Sequence, residues 1–384
     1  MNEQTSASLA VSEEMRRRIA ESLLAWYRQH RRDLPWRGGD PYAVWVSEIM
    51  LQQTQVATVI PYFERFMARF PTVEALAAAP IEAVLKQWAG LGYYARARNL
   101  HRAAQVVVAQ HGGRIPDTPE EIERLPGIGR YTAGAILSIA YNLPRPLVDA
   151  NVVRVLSRVF GLRGDPKSGA NAAALWSLAG QLVPPEAPGD FNQALMELGA
   201  LVCEPAEPKC EGCPLLADCV AGNSADPSAL PQIPPGRATV AVTHSAALIR
   251  DEAGRVLITQ RSLHGLWGGL WEFPRVVCAS GESPQASAAR AAREVAGVEV
   301  SIGARLAKVK HGVTYHRITL YGFEARLCAP AATPAPLACA QLRWETLDTL
   351  ENYAFSSPQA LLRSALLAHA AQERAGNAQP ALPL

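Results

Sequence analysis

The hydrophobic pattern of this 384-residue chain changes near residue 238, and this change constrains the fold more than any other feature. Up to about residue 200, apolar residues recur at helical spacing, and no convincing alternating strand precedes residue 238. Beyond it, residues 240–249 and 256–260 have the character of strands separated by a turn. We therefore predict a multi-domain chain in which an all-α domain is followed by a smaller α+β domain.

A segment rich in proline, serine, glycine and alanine lies between the two patterns. It includes Asp226-Pro227, Leu230-Pro231 and Pro234-Pro235-Gly236, a composition typical of an interdomain linker. The predicted organisation is an all-α domain over 1–222, a linker over 223–238, an α+β domain over 239–370 and a disordered tail over 371–384.

Helical spacing predicts helices at 12–30, 42–55, 61–70, 73–78, 81–89, 94–110, 119–124, 131–141, 151–160, 171–182 and 189–200. In the second half, the pattern predicts a helix at 284–295 and further strands at 298–309, 313–325 and 342–344.

Composition narrows the class of protein. No run of 18 or more apolar residues is present, so no membrane span is expected. The polar N-terminus lacks the apolar region of a secretory signal, which makes the cytoplasm the expected location, with nucleoid association if the source is bacterial. The net charge of +2 does not indicate a nucleic-acid binder by itself, and the arginines of the first helix are most simply a solvated face.

Four of the seven cysteines cluster in the pattern Cys203-x6-Cys210-x2-Cys213-x5-Cys219. A disulfide framework is not expected in a cytosolic chain. Zinc sites usually pair their cysteines as two Cys-x2-Cys knuckles, whereas this compact loop has a single close pair. The spacing therefore favours an iron–sulfur cube, with zinc as the alternative.

The stretch Leu125-Pro126-Gly127-Ile128-Gly129 predicts a tight hairpin that opens a helix. Gly127 and Gly129 allow the backbone to turn with positive φ. Three consecutive amides would then face outward at a helix N-terminus, where the dipole also favours an anion. We expect this hairpin to bind a phosphate of a nucleic-acid backbone.

Two carboxylates have the sequence context of an acid and an anion. Glu48 lies in the apolar run 44–51, and a desolvated carboxyl group retains its proton, as a general acid requires. Asp149 stands just before a helix, where a cap would fix its orientation and keep it ionised. Such a pair suits cleavage of a glycosidic bond. Considered alone, Glu48 fits a non-catalytic role equally well, as a buried glutamate with a hydrogen-bond partner or as an exposed one. Asp149 alone is more simply a helix cap.

Amides and aromatic residues lie near the acid, in Leu51-Gln52-Gln53-Thr54-Gln55 and Leu91-Gly92-Tyr93-Tyr94. Side chains of this kind can wedge into a base stack. Surface amides and core aromatics are the simpler interpretation when the context is ignored.

Together these motifs resemble the MutY family of adenine DNA glycosylases, within the helix–hairpin–helix superfamily that also contains endonuclease III. The resemblance extends over about residues 15–365. It implies that Glu48 protonates adenine at N7 and that Asp149, with Asn151 as its polar neighbour, stabilises the developing sugar cation. It also implies a [4Fe–4S] cluster bound by Cys203, Cys210, Cys213 and Cys219.

The implied partner is duplex DNA with adenine opposite 8-oxoguanine or guanine, bound by a monomer that extrudes the adenine. Gln53 and Tyr93 match residues that insert beside the lesion, and Arg37 and Gln193 match the surroundings of the adenine. The remaining predicted DNA or base contacts are Leu51, Thr54, Gly127, Gly129 and Thr314.

Position 131 distinguishes two activities within the superfamily. Bifunctional relatives carry a lysine there, which attacks the sugar as a Schiff-base nucleophile, whereas this chain has Tyr131. We expect a monofunctional enzyme that uses water and leaves an abasic site. The alternatives are an endonuclease III-like glycosylase/lyase on oxidised pyrimidines and a non-catalytic DNA-binding module with a structural metal.

The C-terminal half resembles the 8-oxoguanine-reading domain of the same family, which is itself similar to Nudix hydrolases. Residues 265–274 are its clearest stretch, and the region around Glu294 lacks the glutamate pair that would bind Mg²⁺. Val313-Thr314-Tyr315 stands where the family often carries Phe-Ser-His. We expect Thr314 to offer a hydroxyl group at this position.

Overall fold

The computed structural model describes residues 10–263 and 265–377. They form two compact units, the first comprising 10–78 and 99–235 and the second comprising 79–98 and 236–377. The break after Pro235 falls inside the predicted linker, but segment 79–98, which we expected in the helical domain, groups with the second unit.

The helices that precede the cysteine loop are α1 (Glu13–His30), α2 (Pro41–Leu51), α3 (Val56–Arg69), α4 (Val73–Ala78), α5 (Ile81–Trp88), α6 (Ala95–His111), α7 (Pro119–Ile122), α8 (Arg130–Ile139), α9 (Ala150–Val159), α10 (Gly169–Leu182) and α11 (Pro188–Leu201). Short 3₁₀ helices follow at Cys210–Gly212, Leu216–Asp218 and Pro227–Ala229.

The core of the first unit is formed by α1, α9, α10 and α11. These helices contribute Leu23, Val155, Leu178 and Leu195, each buried almost completely. Burial of a leucine or valine side chain stabilises a fold by about 1.5–3 kcal/mol, so this cluster fixes α9 and α11 relative to each other. Both helices contribute to the site described below.

The predicted helix 42–55 is wrong at its C-terminal end. The helix α2 stops at Leu51, because Gln53 adopts a left-handed backbone conformation with φ of 61° that a helix cannot contain. The next helix begins at Val56 and contains Pro61, where we expected it to start. The short connection 52–55 thus turns the chain between two helices.

The second unit is built on one seven-stranded sheet whose main path runs β3-β2-β1-β6-β5. The strands are β1 (Val240–Arg250), β2 (Val256–Gln260), β3 (Trp271–Glu272), β4 (Arg275–Val277), β5 (Val300–Val313), β6 (His316–Leu327) and β7 (Gln341–Glu345). The strands β1 and β6 are parallel, while β4 pairs with β1 and β7 pairs with β2 in antiparallel fashion.

Two helices pack on this sheet, α12 (Pro284–Ala296) and α13 (Ser357–Asn377). Alternate residues of β1 point to opposite faces, so that Leu248 joins the core that includes residues of α13 and Ile249 joins the core that includes residues of α12. The predicted strands 298–309 and 313–325 start and end two to four residues too early. The short strands β3 and β4 and the helix α13 were not predicted.

The predicted tail over 371–384 is wrong for its first seven residues. The helix α13 continues to Asn377, and within this segment Glu373 accepts a hydrogen bond of 2.6 Å from Nη1 of Arg250 on β1. Residues 378–384 lie outside the described part of the chain. None of the helices in the described part of the chain has the length and apolar character needed to span a bilayer.

Candidate active site and cysteine loop

A pocket of about 720 Å³ opens in the first unit. Segments of α2, α8, α9 and α11 line it, together with the connection that follows α2. Nine residues that the sequence analysis singled out from distant parts of the chain meet in its wall. They are Arg37, Glu48, Leu51, Gln53, Thr54, Tyr131, Asp149, Asn151 and Gln193.

Glu48 lies on α2 and is 4% exposed. The helix is apolar on nearly every side and is capped by Asp40, whose carboxylate accepts a hydrogen bond of 2.8 Å from the Ala43 amide. The pKa of Glu48 is raised to about 7. Burial is the largest cause, a hydrogen bond from Tyr131 lowers the pKa, and the negative charge of Asp149 raises it further. A carboxyl group with this pKa holds a proton for a substantial fraction of time at neutral pH.

Tyr131 is the second residue of α8 and donates a hydrogen bond of 2.6 Å from its hydroxyl to Oε2 of Glu48. Burial raises the pKa of this hydroxyl well above its usual value, so it remains a neutral donor. Among the described residues that line the pocket, none is a lysine. Bifunctional relatives carry an amine nucleophile at this position. In this chain Tyr131 occupies it and orients the Glu48 carboxyl group through its hydrogen bond.

Asp149 caps the N-terminus of α9. Its Oδ1 accepts a bond of 2.7 Å from the Val152 amide, and its Oδ2 accepts one of 2.9 Å from Nδ2 of Asn151. Burial raises the pKa of Asp149 above its usual value, while these two bonds oppose the rise by favouring the anion. Capping and a functional role are thus compatible, because the cap presents a fixed carboxylate to the pocket.

A chain of hydrogen bonds leads from this carboxylate to the cysteine loop. Arg154 donates from Nη2 to Oδ1 of Asn151 over 2.8 Å and from Nε to the carbonyl oxygen of Cys203 over 2.7 Å. The same α9 therefore positions both the Asp149 carboxylate and the first cysteine of the loop.

Sequence reasoning missed Glu197 and Arg32, which lie at the same pocket. Glu197 of α11 is buried and accepts bonds of 2.9 Å from Nε and Nη2 of Arg32 and from Nη2 of Arg37. Burial raises the pKa of Glu197, but the bonds from Arg32 outweigh it and the net pKa is lowered. Arg37 also donates to the hydroxyl of Tyr27 and stacks 5.2 Å from its ring centroid. Partners about 160 residues apart leave no local sequence signal.

Two sequence-predicted contacts lie in the second unit, outside the lining of this pocket. Tyr93 is 46% exposed and has a left-handed backbone conformation with φ of 47°. Thr314 occupies the turn between β5 and β6, and its hydroxyl donates to the carbonyl oxygen of Val313 over 2.7 Å. The proton of the Thr314 hydroxyl is thus used within the turn.

The hairpin before α8 differs from its prediction in two respects. Gly127 adopts φ of 80°, but Gly129 has φ of −110°, which any residue can adopt. The Ile128 amide donates to the Leu125 carbonyl over 3.1 Å, so the three consecutive amides do not all face outward. A Cβ at position 127 would lie 2.6 Å from the Cβ of Asn99, whereas one at 129 would meet no atom within 4 Å. Only Gly127 is required by the turn.

The four clustered cysteines line one small cavity. Burial raises the pKa of the Cys213 thiol to about 11, and the nearby cysteines contribute to the rise. Two donors already point at sulfur atoms, the Gly222 amide toward Cys219 Sγ at 3.2 Å and Nη1 of Arg158 toward Cys203 Sγ at 3.3 Å. Such donors are typical of thiolate-bound metal centres, where they stabilise the negative sulfur.

The spacing of these sulfur atoms distinguishes the two kinds of metal centre left open above. Four thiolates around one zinc ion at about 2.3 Å lie roughly 3.8 Å from each other. Among the described residues, no three of these sulfur atoms all lie within 4.8 Å of one another. The loop is too open for a single ion as it stands, and its donor set fits a larger iron–sulfur group.

Comparison with known proteins agrees with both halves of the structure. Residues 46–181 match the model of the HhH-GPD superfamily of base excision DNA repair proteins, and residues 245–364 match a NUDIX domain. The adenine DNA glycosylase of Rattus norvegicus is 38% identical over 390 residues, covering 88% of this chain and 75% of the rat protein. This chain belongs to the adenine DNA glycosylase family. The resemblance to the MutY family and the predicted fold class are thereby confirmed.

Further comparisons agree with this assignment. The human adenine DNA glycosylase is 39% identical over 394 residues, covering 88% of this chain and 71% of the human protein. Among solved structures, a thermostable thymine-DNA glycosylase superposes with a TM-score of 0.50 and 36% identity, over 53% of this chain and 95% of its own. Membership of the adenine family therefore favours the adenine hypothesis over an enzyme acting on oxidised pyrimidines.

Proposed function

We propose that this chain is a monofunctional adenine DNA glycosylase that hydrolyses the N-glycosidic bond of adenine paired with 8-oxoguanine or guanine in duplex DNA. In this role it would initiate base excision repair. One observation carries the proposal: the buried Glu48 carboxyl group and the fixed Asp149 carboxylate line the same pocket, and Tyr131 stands where a lyase needs its lysine.

In the proposed mechanism, Glu48 transfers its proton to N7 of the extruded adenine, which then leaves as a neutral base. The electron pair of the breaking bond departs with the adenine, and the sugar becomes an oxocarbenium-like cation. Asp149 stabilises this cation through its negative charge, which the Val152 amide and Asn151 hold in place. A water molecule then adds to the sugar carbon and gives up one proton to the Glu48 carboxylate, which restores the acid and leaves an abasic site.

The arginine–glutamate group at the pocket wall is proposed to surround the adenine. Glu197 holds Arg32 and Arg37 in fixed orientations, so that their remaining N–H groups are positioned without further ordering. Leu51, Gln53, Thr54 and Gln193 would contact the neighbouring DNA or base. Tyr93 and Thr314, in the second unit, would contact the duplex and the base opposite the adenine.

We further propose that Cys203, Cys210, Cys213 and Cys219 bind a [4Fe–4S] cluster. When bound, such a cluster cross-links the loop and gives it a fixed electrostatic environment. Support comes from the open spacing of the sulfur atoms and the two N–H donors that already point at them. Iron and acid-labile sulfide analysis of the purified protein tests this proposal, and zinc in their place would refute it.

The activity is tested with a panel of duplexes that contain adenine opposite 8-oxoguanine, guanine or thymine, and one that contains an oxidised pyrimidine. Free adenine from the first two duplexes, with strands that break only after alkali, is the expected result. Strand breaks without alkali, or release of the oxidised pyrimidine instead of adenine, would contradict the proposal.

A further inference from the structure

Arg158, near the C-terminus of α9, is a buried cation that is hydrogen-bonded to no carboxylate among the described residues. It is 2% exposed, and its four hydrogen bonds end on three carbonyl oxygens and one sulfur atom. The nearby Asp226 feels its charge but is itself exposed to solvent, where the attraction is screened. Burying a guanidinium group is costly unless an opposite charge is close, so these partners do not account for it.

The carbonyl partners of Arg158 all belong to the segments around the cysteine loop. Nη1 and Nη2 donate over 2.7 Å to the carbonyl oxygens of Glu204 and Pro205, which directly follow the first cysteine. Nε donates over 2.8 Å to the carbonyl oxygen of Leu230, farther along the chain. The planar guanidinium group is therefore held in one orientation, with Nη1 aimed at Cys203 Sγ at 3.3 Å.

A negative partner arises at this sulfur when the loop binds metal. Cysteine binds as a thiolate, and four thiolates around a cationic iron–sulfur core sum to a net negative group. The free thiol offers Arg158 no such charge. The same geometry that is costly beside a neutral thiol thus becomes a charge-assisted hydrogen bond beside a metal-bound thiolate.

We propose that Arg158 is the internal counter-ion of the cysteine-bound cluster and protects it from oxidation through its bond to Cys203 Sγ. The inference rests on the [4Fe–4S] cofactor proposed above. A cation and an N–H donor at sulfur stabilise the more negatively charged, more reduced state of a cluster. Arg158 therefore raises the reduction potential of the cluster. It is a positioning residue that lies outside the lining of the pocket containing Glu48.

The experiment compares the wild-type holoprotein with Arg158→Gln, Arg158→Lys and the control Arg18→Gln. Arg18 is a suitable control because it also binds the cysteine loop, donating from Nε to Asp218 Oδ2 over 3.0 Å, while it is half exposed and bonds to a carboxylate instead of a sulfur atom. Each variant is assayed for iron and sulfide, midpoint potential, loss of visible absorbance in ferricyanide, and melting temperature.

Arg158→Gln is expected to shift the balance between oxidised and reduced cluster about tenfold toward oxidised, equivalent to ~59 mV for a one-electron couple. Its absorbance should bleach correspondingly faster, Arg158→Lys should lie between it and the wild type, and Arg18→Gln should match the wild type. If Arg158→Gln does not retain iron, Arg158→Lys carries the test, because it keeps the charge but loses the fork of donors.

A lower melting temperature with unchanged potential and bleaching in every variant that retains iron would overturn the proposal and leave Arg158 as a structural anchor. The proposal also fails if Arg18→Gln shifts the potential as much as the Arg158 variants. Failure of the cofactor proposal is distinct, because the wild-type protein itself would then contain zinc or no metal.

Discussion

The hydroxyl of Tyr131 donates a hydrogen bond of 2.6 Å to Oε2 of Glu48 inside the pocket that also contains Asp149. Burial and the negative charge of Asp149 raise the pKa of this carboxyl group, while the Tyr131 bond lowers it, and the resulting pKa is about 7. Tyr131, which stands where bifunctional relatives have a lysine, therefore does more than remove the amine nucleophile. It sets the proton affinity of the proposed general acid.

Replacing Tyr131 by Phe removes the donor and leaves the ring. The pKa of Glu48 should then rise, because the bond that favours its anion is gone. We expect the alkaline limb of the pH–rate profile for adenine release to move to higher pH, while the product stays sensitive to alkali. Tyr141→Phe is the control, since Tyr141 donates to the Ile115 carbonyl and does not line the pocket. An unmoved alkaline limb in Tyr131→Phe would contradict this role.

The wild-type enzyme should lose activity as the pH rises through about 7, because only protonated Glu48 can act as the acid. Activity should also fall at acidic pH, because the mechanism needs the Asp149 anion. Burial raises the pKa of Asp149, so this fall should occur at a higher pH than an ordinary aspartate would give. Measuring kcat/KM from about pH 4 to about pH 9 on an adenine:8-oxoguanine duplex tests both limbs. A profile that is flat around neutral pH would refute the assignment of Glu48.

Glu48 should destabilise the folded protein at alkaline pH. Its pKa is about 7 when folded and near 4.5 when unfolded, so the unfolded chain loses its proton first. The folded state therefore loses stability as the pH rises from about 4.5 through 7. At about 1.4 kcal/mol per pKa unit, the total loss above this range is on the order of 3 to 4 kcal/mol.

Glu48→Gln removes this titration but preserves the shape of the side chain and an acceptor for Tyr131. The difference in free energy of unfolding between Glu48→Gln and wild type should grow in favour of the variant from about pH 5 to about pH 8. Denaturant titrations followed at both pH values measure it. An equal difference at the two pH values would mean that Glu48 titrates normally in the folded protein.

The two glycines of the hairpin before α8 should respond differently to alanine. Gly127→Ala places a Cβ 2.6 Å from Asn99 at a φ of 80°, so the hairpin must distort. Gly129→Ala meets no atom within 4 Å and suits its φ of −110°. We expect at least tenfold weaker duplex binding for Gly127→Ala and near wild-type binding for Gly129→Ala in a titration at fixed salt. Equal losses would show that the hairpin geometry does not govern binding.

Most helices were predictable, since apolar spacing alone placed α1, α9 and α11 within two residues of their observed ends. The end of α2 before Gln53 was not predictable, because the sequence around this left-handed residue contains no proline or glycine to mark a helix end. Strands of two or three residues such as β3 and β4 are too short for an alternating pattern.

Within the site, Glu48 and Asp149 were found because each has a local signature, an apolar run or a helix start. Glu197 was missed, because its role depends on hydrogen bonds from Arg32 and Arg37, which are about 160 residues away in the sequence. The sequence shows Tyr131 only as the loss of a lysine, since the bond from its hydroxyl to Glu48 spans 83 residues of sequence and exists only after folding.

The most direct test of the proposed chemistry is the single-turnover rate of adenine release from an adenine:8-oxoguanine duplex by wild type and Glu48→Gln. Equal duplex affinity, a rate lowered by about 10²–10⁴-fold or more in the variant, and wild-type strands that break only after alkali are the expected results. Near-normal turnover by Glu48→Gln would show that Glu48 is not the acid, and wild-type strand breaks without alkali would show that an amine nucleophile operates instead of water.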